Sequence, residues 1–354
     1  MFIKKLKIHN LRNIKHREFK FDKRINIFYG SNGAGKTSIL ESIYFLSSGK
    51  SFRKGNFKHL INFNSDSLTV YAECLNNHET NTHTFAVNKN SKGNWKAKHN
   101  NSKIKSQSII TNLLPTVAID PEVYRLVDFG PLYRRNYLDW LVFHVKHDYL
   151  ILWKKVYKCV KQLNTLYKYK GSSSEIEIWE NNFLLFSNEL NNIRENVFNQ
   201  IKPKILELSL YMQEEINDLS IDFKQGWSSD STLDKQLKLD RSKNFKYGQL
   251  QHGPQKMDIK ISTGKYQASQ TLSRGQKKIL SITFYMAFID LLLETTNKSP
   301  ILCLDDFDAE IDKNKLLKAA RFFNEKKTQV FITSVQKEKI SQVFPNAGMF
   351  HVEH

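Results

Sequence analysis

Residues 30 to 37 read Gly30-Ser31-Asn32-Gly33-Ala34-Gly35-Lys36-Thr37, and no other stretch constrains the chain as much. The run Ile25-Asn26-Ile27-Phe28-Tyr29 before it has the composition of a buried strand. Behind it, Ser38 to Leu46 carries apolar residues at 39, 40, 43 and 46, the spacing of one helix face. A glycine-rich turn between a strand and a helix can point consecutive backbone N–H groups inward at the positive end of the helix, and so cradle a chain of phosphates. In that setting Gly30, Ser31, Asn32, Gly33, Ala34, Gly35, Lys36 and Thr37 form a nucleotide-binding candidate. Lys36 would reach the β and γ phosphates, and Thr37 would offer its hydroxyl to Mg²⁺.

Charge points to a second, larger anion. Lysine and arginine outnumber aspartate and glutamate by 54 to 35 in the 354 residues, a formal charge of +19, which favours a polyanionic partner. Part of the excess belongs to solvated surface in a chain so rich in Asn, Lys and Ile. The most one-sided segment is 88–105, with Lys89, Lys92, Lys96, Lys98, Lys103 and Lys105, one tryptophan (Trp95) and no acidic residue; these lysines are the candidates for DNA phosphates. Three cysteines at unrelated spacings argue against a disulfide framework or a zinc site and fit a reducing cytoplasm. The longest greasy stretch, Ile279 to Leu293, contains Asp290 and is too short for a membrane span, so no membrane partner is expected.

The pattern along the chain predicts strands over Phe2–Ile8 and Glu18–Phe28 joined by a turn at Asn10–Asn13, then hairpins between Leu68 and Lys105. After Pro131 the texture is helical, from Leu132 to about Tyr169 and from Glu175 to about Leu219, with Pro203 expected to kink or interrupt the second stretch. The expected organisation is a nucleotide-binding lobe over residues 1–125, a helical arm over 126–220, and a C-terminal part that completes the nucleotide-binding lobe over 221–354.

The C-terminal third completes the constellation. Leu272-Ser273-Arg274-Gly275-Gln276 opens a helix, and Ile301-Leu302-Cys303-Leu304 ends in Asp305-Asp306. Four apolar residues leading to two carboxylates suit a central parallel strand whose tip holds Mg²⁺ through Asp305 and orients or deprotonates a water through Asp306. Taken singly, the aspartates could be a polar strand end and Ser273–Gln276 an ordinary helix cap. A last strand, Gln329 to Thr333, has no histidine after it, and Thr333 or Gln336 stands where a γ-phosphate switch residue would be sought.

Phosphate loop, helical insertion, L-S-x-G-Q signature and Asp-Asp strand in this order resemble the ATP-binding-cassette heads of the SMC type. The motifs Asn10-Leu11-Arg12-Asn13, Leu46 to Arg53, Asp120-Pro121-Glu122, Gly130 to Arg135, Leu138-Asp139, Gly253-Pro254 and Leu304-Asp305-Asp306 are similar, nearly end to end, to the RecF family of bacterial recombination mediators. Where that family usually has His-Arg-Asp-Asp after Gly-Pro, this chain has Gln255-Lys256-Met257-Asp258; Ala309 replaces a usual serine, and Val160 to Asn164 only approximates K-Q-R-N. The resemblance implies an α/β fold, a mixed-sheet ATPase head with an inserted helical arm. It implies a homodimer that sandwiches ATP and Mg²⁺ between the phosphate loop of one copy and Ser273, Arg274, Gly275 and Gln276 of the other. It gives a role in recombinational repair and replication restart on double-stranded or gapped DNA. Arg12, just after the first strand and beside the phosphate loop, is expected near the nucleotide, and Asp306, one methylene shorter than the glutamate common in transport cassettes, is expected to give slow, switch-like hydrolysis. Single-stranded DNA is admitted as a further ligand, and RecR and RecO are the implied partners in placing recombinase. The rivals are an ATP-dependent nuclease of the overcoming-lysogenisation type, which needs a further metal-binding domain, a transporter ATPase, and a DNA-binding protein with a degenerate nucleotide site.

Overall fold

Burial separates two kinds of strand in the computed structural model, which describes residues 1–53, 55–75, 81–216 and 218–353. In chain order, β1 (Phe2–Leu11), β2 (Ile14–Lys20) and β3 (Ile25–Tyr29) precede α1 (Lys36–Ser48), followed by β4 (Ser67–Leu75), β5 (Thr82–Asn90), β6 (Trp95–His99), β7 (Ser102–Lys103), α2 (Gln107–Leu113) and β8 (Thr116–Ile119). The helical stretch comprises α3 (Arg125–Asp128), α4 (Pro131–Val145), α5 (Tyr149–Tyr169) and α6 (Ser173–Met212), then β9 (Leu219–Lys224) and α7 (Leu233–Tyr247). The chain closes with β10 (Asp258–Thr263), β11 (Tyr266–Gln267), α8 (Ala268–Thr271), α9 (Arg274–Thr296), β12 (Ile301–Leu304), α10 (Lys313–Glu325), β13 (Gln329–Ser334), α11 (Lys337–Val343) and β14 (Gly348–His351).

The chain divides into two units, Met1–Val123 with Leu292–His354, and Tyr124–Leu291. Residues 221–291, grouped above with the C-terminal third, therefore cluster with the helices. Within the first unit, β4 alternates buried and half-buried residues along its whole length, as a strand with one face on the core must. It sits in a six-stranded antiparallel sheet of order β2-β1-β4-β5-β6-β7. By contrast β12 and β13 are buried at every position and lie in a parallel sheet of order β14-β3-β13-β12-β8, which carries the phosphate loop. The strand expected over Glu18–Phe28 is two strands in two sheets. Between them the chain crosses from one sheet to the other at Phe21, a buried ring packed edge-on against Phe331 at 4.9 Å.

In the second unit α5 buries Leu152, Val156, Cys159, Leu163 and Tyr167, and α6 buries Ile176, Phe183, Leu190 and Val197 at seven-residue intervals, so each presents an apolar seam. Three local expectations give way here. The helix expected over Leu132–Tyr169 breaks at Lys146–Asp148, where the reversal brings Tyr149 and Trp153 to Asp139 (2.5 and 3.0 Å). Pro203 does not interrupt α6: the bond it removes falls at the Asn199 carbonyl on an exposed residue, where water can replace it. The helix ends at Met212 rather than Leu219, and Gln213 Nε2 donates to the Gln276 carbonyl at 2.9 Å. Helix α9 has the length and apolarity of a membrane span, but Ile279, Leu280, Ile282, Phe284, Met286, Phe288 and Ile289 are all buried in the protein.

Candidate nucleotide site

Strand register assembles the site. In the parallel sheet Phe28 lies opposite Thr333, Tyr29 opposite Ser334, and Leu304 opposite Ile332, so the phosphate loop, Thr333 and Asp305 emerge side by side at the C-terminal edge. Ligands of open α/β sheets gather at that edge. Two loop glycines are required by the surroundings. Gly30 has φ +153 and a Cβ there would stand 2.4 Å from the Val352 carbonyl oxygen; Gly35 has φ +102 and a Cβ would meet Asn13 Nδ2 at 2.9 Å. Lys36 Nζ donates to the carbonyls of Gly30 and Ser31, both at 2.9 Å, and an ammonium has a third N–H to offer a phosphate.

The hydroxyls of Thr37 and Thr333 both donate to Asp305 Oδ1, at 2.8 and 2.7 Å. Burial pushes the Asp305 carboxyl up to about 6; the two hydroxyl bonds oppose that rise, Asp306 adds to it, and Arg53 draws it back slightly. Asp306 takes a left-handed backbone, φ 44, with its N–H on Thr333 Oγ1 at 2.8 Å. Asp306 lines an open cleft of about 340 Å³ together with Asn32 of the phosphate loop, Asp308, Gln336 and Lys339. Thr37 and Asp305 supply the hard oxygen donors that Mg²⁺ accepts while keeping several waters, and the raised Asp305 carboxyl is a group that a nearby cation would favour in its charged form. Among the described residues there is no cluster of three or more His, Cys, Asp or Glu suited to another metal.

The other candidates lie as follows. Arg12, at φ 52, commits Nε and Nη2 to the fully buried Glu41 of α1, the second bond being 2.7 Å, and Ser51 donates to the same carboxylate at 2.5 Å. Glu41 was hidden in the sequence by the apolar spacing of its helix. Thr333, considered above as a switch residue, is fully buried on the two aspartates, whereas Gln336 does face the cleft. In the second unit Ser273 and Gln276 form a reciprocal cap at the start of α9: Ser273 Oγ accepts from the Gln276 N–H (3.3 Å) and Gln276 Oε1 from the Ser273 N–H (2.9 Å). Ser273 and Arg274 are exposed, and the Arg274 guanidinium stacks over Tyr124 at 5.0 Å.

The lysine segment splits. Lys89 Nζ donates to the Gly49 carbonyl at 3.2 Å and sits 4.0 Å over the Phe57 ring, where burial lowers its pKa. Lys92, Lys96, Lys98, Lys103 and Lys105 are exposed at the β6–β7 edge of the antiparallel sheet. Trp95 is half-buried against the core and donates to Gln107 Oε1 at 2.7 Å, while Gln107 Nε2 caps the Leu46 and Ser47 carbonyls at the end of α1.

Known proteins are similar to this chain over nearly its whole length. The DNA replication and repair protein RecF of Coxiella burnetii (strain RSA 493 / Nine Mile phase I) is 32% identical over 353 residues, covering all of this chain and 98% of its own. That of Hahella chejuensis (strain KCTC 2396) is 30% identical over 366 residues, covering all of this chain and 98% of its own. Among solved structures, the recombination mediator protein RecF with ATP, of the RecFOR pathway, superposes with a TM-score of 0.86 at 26% identity, over 95% of this chain and 92% of that one. An SMC head bound to the C-terminal winged-helix domain of ScpA shares the fold at a TM-score of 0.57, 15% identity, 96% coverage of this chain and 91% of that one. The profile of the RecF/RecN/SMC N terminal domain matches residues 2–354, and the chain belongs to that family, in its RecF group, with the α/β ATPase-head fold of RecF and SMC proteins.

Proposed function

We propose that this chain is an ATP-switched DNA-binding ATPase of recombinational repair and replication. One observation carries the reading: beneath the phosphate loop, Thr37, Asp305 and Asp306 converge at a single sheet edge, two of them joined by a 2.8 Å hydrogen bond, with Asp306 facing a cleft that Asn32 shares. The backbone of residues 30–37 would hold the triphosphate, Lys36 the β and γ phosphates, and Thr37 with Asp305 would ligate Mg²⁺. Bound there, the metal would offset phosphate charge. Asp306 would accept the proton of the attacking water as its oxygen bonds to the γ-phosphorus and the bond to the bridging oxygen breaks, leaving ADP and phosphate. An aspartate reaches less far than a glutamate, which fits slow turnover and a switch rather than a motor.

Ser273–Gln276 would act in trans. The exposed start of a 23-residue helix presents N–H groups and a serine hydroxyl to the γ-phosphate of a second copy, closing an ATP-dependent homodimer in the reducing cytoplasm. The five exposed edge lysines would contact phosphates of double-stranded or gapped DNA. The RecFOR pathway to which a RecF neighbour belongs supports RecO and RecR as partners. The test is a pair of variants. Lys36→Ala should lose nucleotide affinity, whereas Ser273→Ala should bind ATP as a monomer and fail to dimerise, read by sedimentation with ATP, ADP and no nucleotide, with and without duplex DNA. Equal loss of ATP binding in both would overturn the composite site.

A further inference from the structure

Asp306 is held in a backbone conformation that non-glycine residues avoid, and such residues persist only where neighbours over-determine them. Ala309 N–H donates to the Asp306 carbonyl at 3.1 Å, and on the other side stands a single side-chain oxygen. Thr333 Oγ1 donates its hydrogen to Asp305 Oδ1 (2.7 Å) and accepts the Asp306 N–H (2.8 Å), so one atom ties together the two acidic residues of the site. A hydroxyl has one hydrogen and two lone pairs, and only one rotor position satisfies both bonds at once. Thr333 is fully buried at the end of β13, after the apolar run Val330-Phe331-Ile332, where packing alone would favour a valine.

We propose that Thr333 is a positioning residue for phosphoryl transfer: through one oxygen it aims the Asp305 carboxylate at Thr37 and fixes the turned backbone that brings Asp306 to the cleft. The inference rests on the nucleotide reading above. A packing role and a positioning role rank the substitutions in opposite order. Valine keeps the shape and strand preference of threonine and loses the oxygen; serine keeps the oxygen and loses the methyl. For positioning, Thr333→Ser should stay within about threefold of wild type in kcat. Thr333→Val and Thr333→Ala should fall by about 10- to 100-fold, with KM for ATP little changed, the size of effect that misplacing a reacting group by an ångström produces.

A second readout does not depend on turnover. The Mg²⁺ concentration giving half-maximal binding of a fluorescent ATP analogue should rise several-fold in the valine and alanine variants and stay put in the serine variant. Valine turning over as fast as serine would overturn the proposal, as would valine keeping its activity while serine loses it, since that order makes Thr333 a packing residue. Asp306→Asn measured alongside keeps the two claims apart. If Asp306→Asn turns over normally, the assignment of Asp306 fails and the proposal falls with it. If Asp306→Asn is inactive while Thr333→Val is normal, only the positioning role fails.

Discussion

Two buried charge clusters in this protein are built on opposite plans. In the helical unit the fully buried Arg194 donates through Nε and Nη2 to Asp139 (2.8 and 2.9 Å), through Nε to Tyr149 Oη (3.0 Å) and through Nη1 to the Pro254 carbonyl (2.8 Å). Asp139 takes two further donors, Tyr149 and Trp153. Burial alone would depress the Arg194 pKa, but Tyr149 and Asp139 outweigh it and hold the guanidinium above its usual value. A few residues away Arg134 closes a second such pair on Asp258, at 2.7 and 3.0 Å. At the sheet edge of the other unit, Asp305 has two hydroxyls on one oxygen and a carboxyl pushed up to about 6, and Asp306 sits in disfavoured backbone. Closed electrostatics hold a fold together. Electrostatics left open mark a place where charge is to arrive, and the stability they cost is recovered on binding.

The largest effect should come from opening the closed cluster. Arg194→Met leaves the half-buried Asp139 carboxylate without its counter-charge, a loss approaching the roughly 3–5 kcal/mol of a buried pair broken on one side. Urea unfolding followed by tryptophan emission would report it, because Trp153 is bonded to Asp139. A loss below about 1 kcal/mol would mean that the Arg194 cluster is no more structural than the Asp305 site, and the contrast would collapse.

Removing charge from the open site should have the opposite sign. Asp305→Asn keeps the oxygen that accepts from Thr37 and Thr333 and removes a buried negative charge, so without Mg²⁺ or nucleotide it should stabilise the protein at pH 7.5. A carboxyl raised from 3.8 to about 6 corresponds to about 2–3 kcal/mol. Because the folded-state value lies above the unfolded one, the unfolded chain loses its proton first as pH rises. Wild type therefore sheds stability between about pH 4 and pH 6 and stays at the lower level above that, whereas the variant does not. The gap should vanish below pH 4 and be complete above pH 6. Mg²⁺ and ATP should reverse the order by stabilising only the protein that binds them. A destabilised Asp305→Asn in metal-free buffer would show that the carboxylate is a structural anchor.

What the sequence revealed follows the range of the interactions involved. The phosphate loop, its flanking strand and helix, the Asp305–Asp306 tip and the cap at Ser273–Gln276 are all set within a few residues, and each lies where its local pattern placed it. The motifs at Arg134, Asp139 and Pro254 were visible as residue types, but their meaning rests on partners far along the chain: Asp258 is 124 positions from Arg134, and Arg194 is 55 from Asp139. The same limit hid the bonds of Thr333, 28 positions from Asp305, and the commitment to Glu41 of Arg12, a residue expected near the nucleotide. Periodicity also overran the break between α4 and α5, because a reversal that satisfies Asp139 leaves no trace in apolar spacing.

The smallest effect offers the sharpest version of the contrast. Lys98 and Lys103 are cross-strand partners at the open edge of the antiparallel sheet, both exposed, and among the described residues neither has an acidic partner. Like charges placed opposite one another destabilise a strand pair, so at this edge too charge of the other sign would be favoured. Lys103→Glu should raise stability by about 0.2–1 kcal/mol through the new pair with Lys98 while weakening duplex binding. Replacing Lys96, Lys98, Lys103 and Lys105 with alanine should make the slope of log affinity against log salt shallower by about 0.9 for each phosphate no longer neutralised, leaving ATP binding and sequence preference unchanged. Edge lysines have another use, since they keep a sheet edge from pairing with a neighbour's. On that account the alanine variant would aggregate and its monomeric fraction would keep the wild-type salt slope. The two outcomes separate a surface shaped for a polyanion from an edge that merely protects itself, and the second would confine the open-charge argument to the nucleotide site.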